Sequence, residues 1–424
     1  MRFFCAVPFC LYRVSEPQIA IPTATTATAS SRMTAQERRS SVSLALIFAL
    51  RMLGLFLVLP VFALEAAKYP GGDDAAMVGL AMGLYGLTQA VFQLPLGLAS
   101  DRWGRKRIIV AGLLVFAGGS LVAALADSLW GLMLGRALQG AGAVSAAVTA
   151  LMADLTRESV RTKAMAMVGG SIGLVFALAL VLSPLLAAWG GLSGIFGLTF
   201  ALALAGIAVV LWVVPAQPAA SRTAPRGDVR QLWQHPDLLR LNAGVFILHT
   251  VQMAMWVAVP ALLVSAGLAK DGHWKVYLPA VVLSFVAMGA LFALERKGHL
   301  RAALLGSIAL LLLVQLGLGA LAWSAQAPSL VGLGVLLFVF FVGFNALEAS
   351  QPSLVSRMAP VSLRGAALGA YNTLQSLGLF AGGFLGGALA QWGGASALFA
   401  TTSVLMLLWL CITWPLRPIG RNKA

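Results

Sequence analysis

Apolar runs of about 20 residues follow one another along nearly the whole chain, separated by short polar breaks. None alternates apolar with polar at every second position, as a strand of a membrane barrel would. Backbone N–H and C=O groups find no water in the hydrocarbon core, so runs of this kind cross it as helices. The pattern predicts twelve spans, at 42–64, 77–100, 106–126, 129–151, 162–187, 192–213, 240–266, 274–294, 300–323, 328–351, 363–390 and 395–414, each boundary to within about three residues. They divide into six, a hydrophilic linker and six. The expected fold is an all-α membrane protein of two pseudo-symmetric six-helix bundles, 41–214 and 240–415, with a linker at 215–239 and a tail at 416–424. The linker carries three prolines before His235-Pro236, together with Arg222, Arg226, Asp228 and Arg230.

Residues 1–40 break the pattern. They are polar and of low complexity, too poor in apolar residues to bury a core, and disorder is expected there. Arg13 interrupts the one early apolar patch and no cleavage site follows, so a signal peptide is not expected. Met33 reads as the start of the working protein.

Charge sets the orientation. Of the 29 Lys and Arg residues, 24 fall in the tails and loops on the side of the termini, Lys68, Lys270 and Lys275 fall on the other side, and Arg51 and Arg136 lie within spans. Positive charge accumulates on the cytoplasmic side, which predicts cytoplasmic termini and linker. The net charge of +15 is therefore topogenic, spread over short loops, and no nucleic-acid partner is expected. Only 10% of residues are charged, against about 25% in soluble domains. Cys5, Cys10 and Cys411 have no metal-ligand spacing with the four histidines, so neither a structural zinc nor a disulfide framework is expected.

The two halves repeat. Leu151-Met-Ala-Asp154 and Val160-Arg161 align with Leu354-Val-Ser-Arg357 and Leu363-Arg364 at an offset of 203, which also places Gly140 on Gly343. After the second and eighth spans, Asp101-Arg102-Trp103-Gly104 is echoed by Glu295-Arg296-Lys297-Gly298. Parallel six-helix repeats with a site between them are a transporter plan.

Gly97-Leu-Ala-Ser-Asp101-Arg102-Trp103-Gly104-Arg105-Lys106-Arg107 carries the strongest local signal. A topogenic anchor would need only the basic residues. The glycines suit close helix packing and a tight turn, and Asp101 suits capping of a helix N-terminus. The stretch resembles the loop signature of the major facilitator superfamily, G-x-L-a-D-R-x-G-R-K, departing from it at Ala99 and Ser100. The likeness extends through Arg51–Pro60, Gly86–Pro95, Gly135–Gly140, Asp154–Glu158 and His273–Leu278, covering roughly 33 to 415, to a bacterial inner-membrane transporter of that superfamily. The chain ends ten residues after Trp414, so a cytoplasmic domain like the one that follows the last span of that relative is not expected.

The resemblance implies residue roles. Asp101 would hold the start of helix eleven (363–366) and lock the inner gate in the outward-open state, and Arg105 would pair with Asp154. Gly135-Arg136-Ala-Leu-Gln139-Gly140 is similar to the fourth-helix motif linked to proton coupling in drug antiporters. The fifth-helix antiporter motif is poorly met, with Ser183-Pro184 where Gly-Pro is usual.

Charges inside spans are costly and mark function. Arg51 and Arg136 lie deep, and Glu348 lies nearer the end of helix ten on the side of the termini. Glu65 and Asp127 sit at span ends and read as solvated caps. Polar residues recur at helical spacing: Gln89 with Gln93, His249 with Gln252, Asn345 with Glu348, and Asn372 with Gln375. Individually these suit interhelical hydrogen bonds. Together with Tyr85, Trp256 and Tyr371 they predict a mixed polar and aromatic cavity.

No convergent nucleophile–base or metal set is legible, so no enzyme activity and no cofactor are expected. The glycines at 97 and 104 follow no strand and precede no G-K-[ST], which excludes a phosphate loop. The expectation is a monomeric secondary transporter, exporting a small amphipathic molecule against protons across a bacterial inner membrane. The other reading on the same fold is a non-transporting sensor or a lipid flippase.

Overall fold

The computed structural model describes residues 33–215, 232, 234–296, 299–324, 326–360 and 363–416. Thr34 opens the first helix. Its hydroxyl accepts from the Glu37 N–H at 3.2 Å, while the Glu37 carboxylate accepts from the Thr34 N–H at 2.8 Å, closing a capping box. Helix α1 therefore runs Ala35–Val58, which corrects the expected disorder over 35–40. Residues 1–32 of that extension, and residues 216–231 and 233 of the linker, lie outside the described residues. Glu37 is buried and also accepts from Arg157 N, Nε and Nη2 at 3.1, 2.8 and 3.0 Å, tying the first turn of α1 to the foot of the fourth span. In this turn, ahead of the apolar stretch that begins at Val42, Arg157 holds the Glu37 carboxyl well below the usual carboxylate range.

Pro60 has no N–H to continue the ladder, so the first crossing is completed by a separate short helix, Phe62–Ala66. Helix α2 (Ala75–Trp103) is capped by Asp74, whose Oδ1 accepts from Ala76 and Met77 N–H at 2.8 and 3.1 Å. Gly104, at φ 96°, turns the chain into α3 (Arg105–Ala124). The fourth crossing, α4, comes in two pieces, Leu129–Ala141 and Ser145–Asp154. The helical run Glu158–Ala208 reverses at Gly191 (φ 58°, ψ −156°), giving α5 (158–190) and α6 (192–208), and a π-turn Val209–Val213 ends α6. Then come α7 (Pro236–Ser265), α8 (Trp274–Arg296), α9 (Leu300–Trp323) and α10 (Leu330–Met358). The run Arg364–Thr413 reverses at Gly394 (φ 66°, ψ −170°) into α11 (364–393) and α12 (395–413). Gly191 and Gly394 stand 203 residues apart, the offset of the internal repeat, at a backbone geometry that glycine adopts without a Cβ clash.

Nine described helical runs are long and apolar enough to cross a membrane. Two of them cross twice, and α4 supplies one more crossing in pieces, so twelve spans form two six-helix bundles. With an even number of crossings, the start of α1 and the end of α12 share one face, the termini face; the other is the far face. Exposed tryptophans mark both levels: Trp130, Trp189, Trp323 and Trp392 at far-face helix ends, and Trp103, Trp212 and Trp414 at termini-face ends. Such rings settle at membrane–water interfaces.

Helices α2 and α11 meet across the bundle boundary on glycine. Gly79 and Gly83 on α2 face Gly383 and Gly387 on α11, two G-x-x-x-G pairs against each other. A Cβ at Gly83 would sit 2.6 Å from the Phe380 carbonyl oxygen, and one at Gly383 would sit 2.6 Å from that of Gly79. This seam occupies the far-face half, where Gln391 Oε1 also accepts from Ala75 N–H at 2.7 Å. Toward the termini face the same helices part. A Cβ at Gly97 would touch only Ala146 of its own bundle, and Gly365 and Gly369 have nothing within 4 Å. The molecule is closed at the far face and opens between the bundles toward the termini face.

Candidate functional site

Two polar clusters occupy the centre, one in each bundle. In the first, α1 carries Arg51 inward, 2% exposed. Its guanidinium donates to Ser145 Oγ (2.9 Å) on α4 and to Tyr85 Oη (2.7 Å) and Gln89 Oε1 (3.1 Å) on α2. Arg136 on α4 lies over the Tyr85 ring, 4.8 Å from its centroid, and donates to Gln139 Oε1 (3.0 Å) and the Met82 carbonyl (3.3 Å). Gln139 in turn donates to Ser120 Oγ at 2.9 Å. Both guanidinium groups are held by neutral oxygens and ring faces, and no described carboxylate pairs with either. Their Nε atoms and Gln93 Oε1 are buried without a protein partner.

In the second cluster, His249 on α7 places Nδ1 2.9 Å from the Val245 carbonyl and Nε2 2.8 Å from Gln375 Nε2 on α11. This arrangement suits a neutral ring, with Nδ1–H donating to Val245 and Nε2 accepting from the Gln375 amide. Glu348 Oε1 on α10 lies 3.3 Å from the same Nε2. A proton is needed on one of these two atoms before they attract. Tyr371 Oη and both polar atoms of Gln351 are buried without a hydrogen-bond partner among the described residues, each costing about 1–3 kcal/mol if left dry. Asn345 donates to Ser284 Oγ on α8 at 3.1 Å, and the Asn372 carbonyl accepts from Ser376 Oγ at 3.0 Å.

Gln89 connects the clusters. While its Oε1 accepts from Arg51, its Nε2 donates across the bundle boundary to Ser376 Oγ at 2.8 Å, one residue from Gln375. A hydrogen-bonded path thus runs from Arg51 through Gln89 to Ser376, Arg136 joins it through the face of Tyr85, and Ser376 adjoins in sequence the Gln375 that meets His249. Gln252 and Trp256 lie apart from it, buried farther along α7 toward the far face, Trp256 edge-on to Tyr277 at 5.6 Å. On the far-face side the centre is closed by an aromatic layer across the boundary, Phe56–Phe176 at 5.0 Å and Phe176–Phe341 at 5.9 Å.

The loop motif lies at the termini face. Arg105 reaches Asp101 Oδ1 at 2.5 Å, Asp154 Oδ2 at 3.3 Å and Ser100 Oγ at 2.7 Å, and Lys106 Nζ donates to the Val214 carbonyl at 2.5 Å. Asp101 is 54% exposed here and turned to Arg105, as Arg102 stands exposed beside it. Gly97 allows α2 to approach Ala146 on α4.

Glu65 requires a correction. It is 5% exposed rather than a solvated cap, because the break after α1 turns Phe62–Ala66 inward over α5 and α7. It pairs with Lys68, and with Lys270 of the other bundle at 3.8 Å, on a far-face cavity of about 260 Å³. Asp127 is exposed, as expected.

Two bundles sealed at one face, open at the other and joined by a polar centre have the build of a membrane transporter. The sequence matches the model of the Major Facilitator Superfamily over residues 44–383, and the chain belongs to that family of transporters, which move small molecules across lipid bilayers. It is 43% identical over 389 residues to the inner membrane transport protein YajR of Escherichia coli K12, covering 90% of this chain and 84% of that one. It is 33% identical over 155 residues to the class B tetracycline resistance protein of Escherichia coli, covering 36% of this chain and 38% of that one. Among solved structures, a bacterial homologue of the human lysosomal transporter Spinster, inward-facing and occupied, matches with a TM-score of 0.74 at 14% identity over 90% of this chain and 97% of that one.

Proposed function

We propose that the chain works as a monomer in a bacterial inner membrane with both termini cytoplasmic, exporting a small neutral or anionic amphipathic molecule by alternating access in exchange for protons. The carrying observation is the unlike charge of the two clusters. Arg51 and Arg136 are guanidinium cations with no carboxylate partner among the described residues, whereas His249 and Glu348 sit 3.3 Å apart and can share a proton. A lipophilic cation in the first cluster would meet repulsion strengthened by the low dielectric. Export is favoured over uptake by the likeness to the tetracycline resistance protein. With the termini in the cytoplasm, the conformation described is inward-open, and Asp101 would move from Arg105 to the start of α11 when that side closes. No bound cofactor enters this cycle.

Reconstituted protein should move an anionic or neutral amphiphile along an imposed pH gradient and move ethidium-like cations poorly. Gradient-driven cation export with no anion flux would overturn the charge assignment. Absence of flux for the whole panel, with lipid scrambling or ligand-dependent signalling instead, would favour a flippase or sensor.

A further inference from the structure

The interior of the C-terminal bundle holds a row of polar groups, several of which are buried without a hydrogen-bond partner among the described residues. His273, fully buried at the far-face end of α8, has the Leu268 backbone beside its ring and no other polar partner at Nδ1 or Nε2 among the described residues. Its ring lies edge-on to Tyr277 at 5.9 Å, and Tyr277 lies edge-on to Trp256 at 5.6 Å. Tyr277 Oη and Trp256 Nε1 are likewise buried and unpartnered. Trp256, Gln252 and His249 then follow at i, i−4 and i−7 along one face of α7. The row ends on the His249–Glu348 pair. Its other end borders the far-face cavity, lined also by Glu65, Lys68, Lys270 and Asp271.

A packed core needs only leucine and phenylalanine at such positions. Buried polar groups left unmatched by the protein are commonly satisfied by ordered water. Imidazole and phenol each donate and accept, as a relay requires. The direct path from the cavity to Glu348 is stopped by the Phe56–Phe176–Phe341 layer, whereas this row runs through the bundle behind it.

We propose that the far-face cavity is the proton entry port, and that His273 and Tyr277, with waters held by Trp256 and Gln252, relay protons inside the C-terminal bundle to His249 and Glu348. Hydronium in the cavity protonates one ring nitrogen of His273, and the other nitrogen releases its proton to a water beside Tyr277. The Tyr277 hydroxyl accepts one proton and gives up another, and the last water delivers its proton to Glu348 or His249 Nε2. Each bond to hydrogen formed is matched by one broken, and no charge remains on the row. The charged groups facing His273 are Glu65, Lys68, Lys270 and Asp271, which together add no net charge. The proposal rests on reading His249–Glu348 as the coupling pair.

Two measurements on the full chain test it. Radiolytic hydroxyl labelling, which reads bound water at buried side chains, should modify Tyr277 and Trp256 well above Phe341 after correction for intrinsic reactivity. Equal labelling overturns the hydrated row. In proteoliposomes with the termini inside, an external acid jump should raise the infrared carboxyl band that Glu348→Gln removes. Tyr277→Phe and His273→Gln should each slow that rise by about tenfold or more and leave its final amplitude unchanged, which also reports a folded protein. Unchanged rates in both variants overturn the route. Should pH-gradient-driven flux be absent while these rates respond, the coupling reading fails and the route stands.

Discussion

In the N-terminal bundle α1 meets α4 through Arg51 and Ser145, and in the C-terminal bundle α7 meets α10 through His249 and Glu348. Ser145 and Glu348 are 203 residues apart, the offset that also relates the Gly191 and Gly394 reversals. The α1–α4 pair therefore holds a cation against a hydroxyl and the α7–α10 pair a titratable base against a titratable acid, with Glu348 at the repeat position of Ser145 while His249 lies 198 residues from Arg51, five short of that offset. At this offset Arg136 corresponds to Val339, so the second arginine has no counterpart either. Duplication has kept the helix geometry and divided the chemistry. On the proposed reading, one half keeps a fixed field for a substrate and the other takes up and releases a proton.

The most damaging test removes the titratable half. His249→Asn with Glu348→Gln should lower pH-gradient-driven flux by about 100-fold or more while substrate exchange without a gradient persists. Retained gradient-driven flux would place coupling elsewhere. Removing the fixed half comes next: Arg51→Met or Arg136→Met should weaken binding of an anionic amphiphile by about tenfold to 100-fold, the value of one or two charge-assisted hydrogen bonds. Ser145→Glu copies the carboxylate of the C-terminal bundle into the N-terminal one and should act in the same direction by neutralising Arg51. Anion affinity unchanged in all three, by titration calorimetry, would mean that the arginines serve only to hold the helices.

Much of this contrast is legible before folding. Apolar runs broken by charge locate the twelve crossings, because the bilayer tolerates nothing else for that length. Arg51, Arg136 and Glu348 stand out in those runs because charge there is expensive. What stays hidden depends on which helix faces which. Gln89 and Ser376 join only once α2 and α11 approach on glycine, and nothing local to either names the other. Glu65 reads as a solvated cap because Pro60 signals a break without saying that the chain folds inward after it. His273 and Tyr277 carry part of the family likeness in sequence, and only the fold shows them buried. The π-turn at Val209–Val213 and the gap in α4 at 142–144 leave the apolar pattern unbroken, so it cannot report them.

The gates sharpen the comparison further, since the loop motif belongs to the N-terminal half while the helix end it would hold belongs to the other. Asp101→Asn should favour the inward-open form by about tenfold, because a neutral amide interacts more weakly with the α11 N-terminus. Cysteine accessibility of the inner cavity reads this directly, with transport reduced and the melting temperature near normal. Equal accessibility in wild type and mutant would show that Asp101 does no more than pair with Arg105.

The smallest effect is expected at the far face, where charge also crosses between the halves. Glu65 from the N-terminal half is nearly buried, yet its partners remain in water: the Lys68 and Lys270 side chains are 60% and 44% exposed. Pairs of this exposure contribute about 0–1 kcal/mol. Most of the far-face closure therefore rests on the α2–α11 glycine seam, where no side chain intervenes, and Glu65 only biases it. Glu65→Gln should shift the equilibrium toward far-face opening by about two- to fivefold at low ionic strength. Salt should shrink the difference, because the Debye length falls to about 8 Å at physiological strength. Spin labels at Asp127→Cys and Ser324→Cys, one in each half, with Cys5, Cys10 and Cys411 replaced by serine, would report the distance by pulsed dipolar spectroscopy. A shift much larger than fivefold, or one unaffected by salt, would mean that the carboxylate carries the closure and the glycines merely permit it.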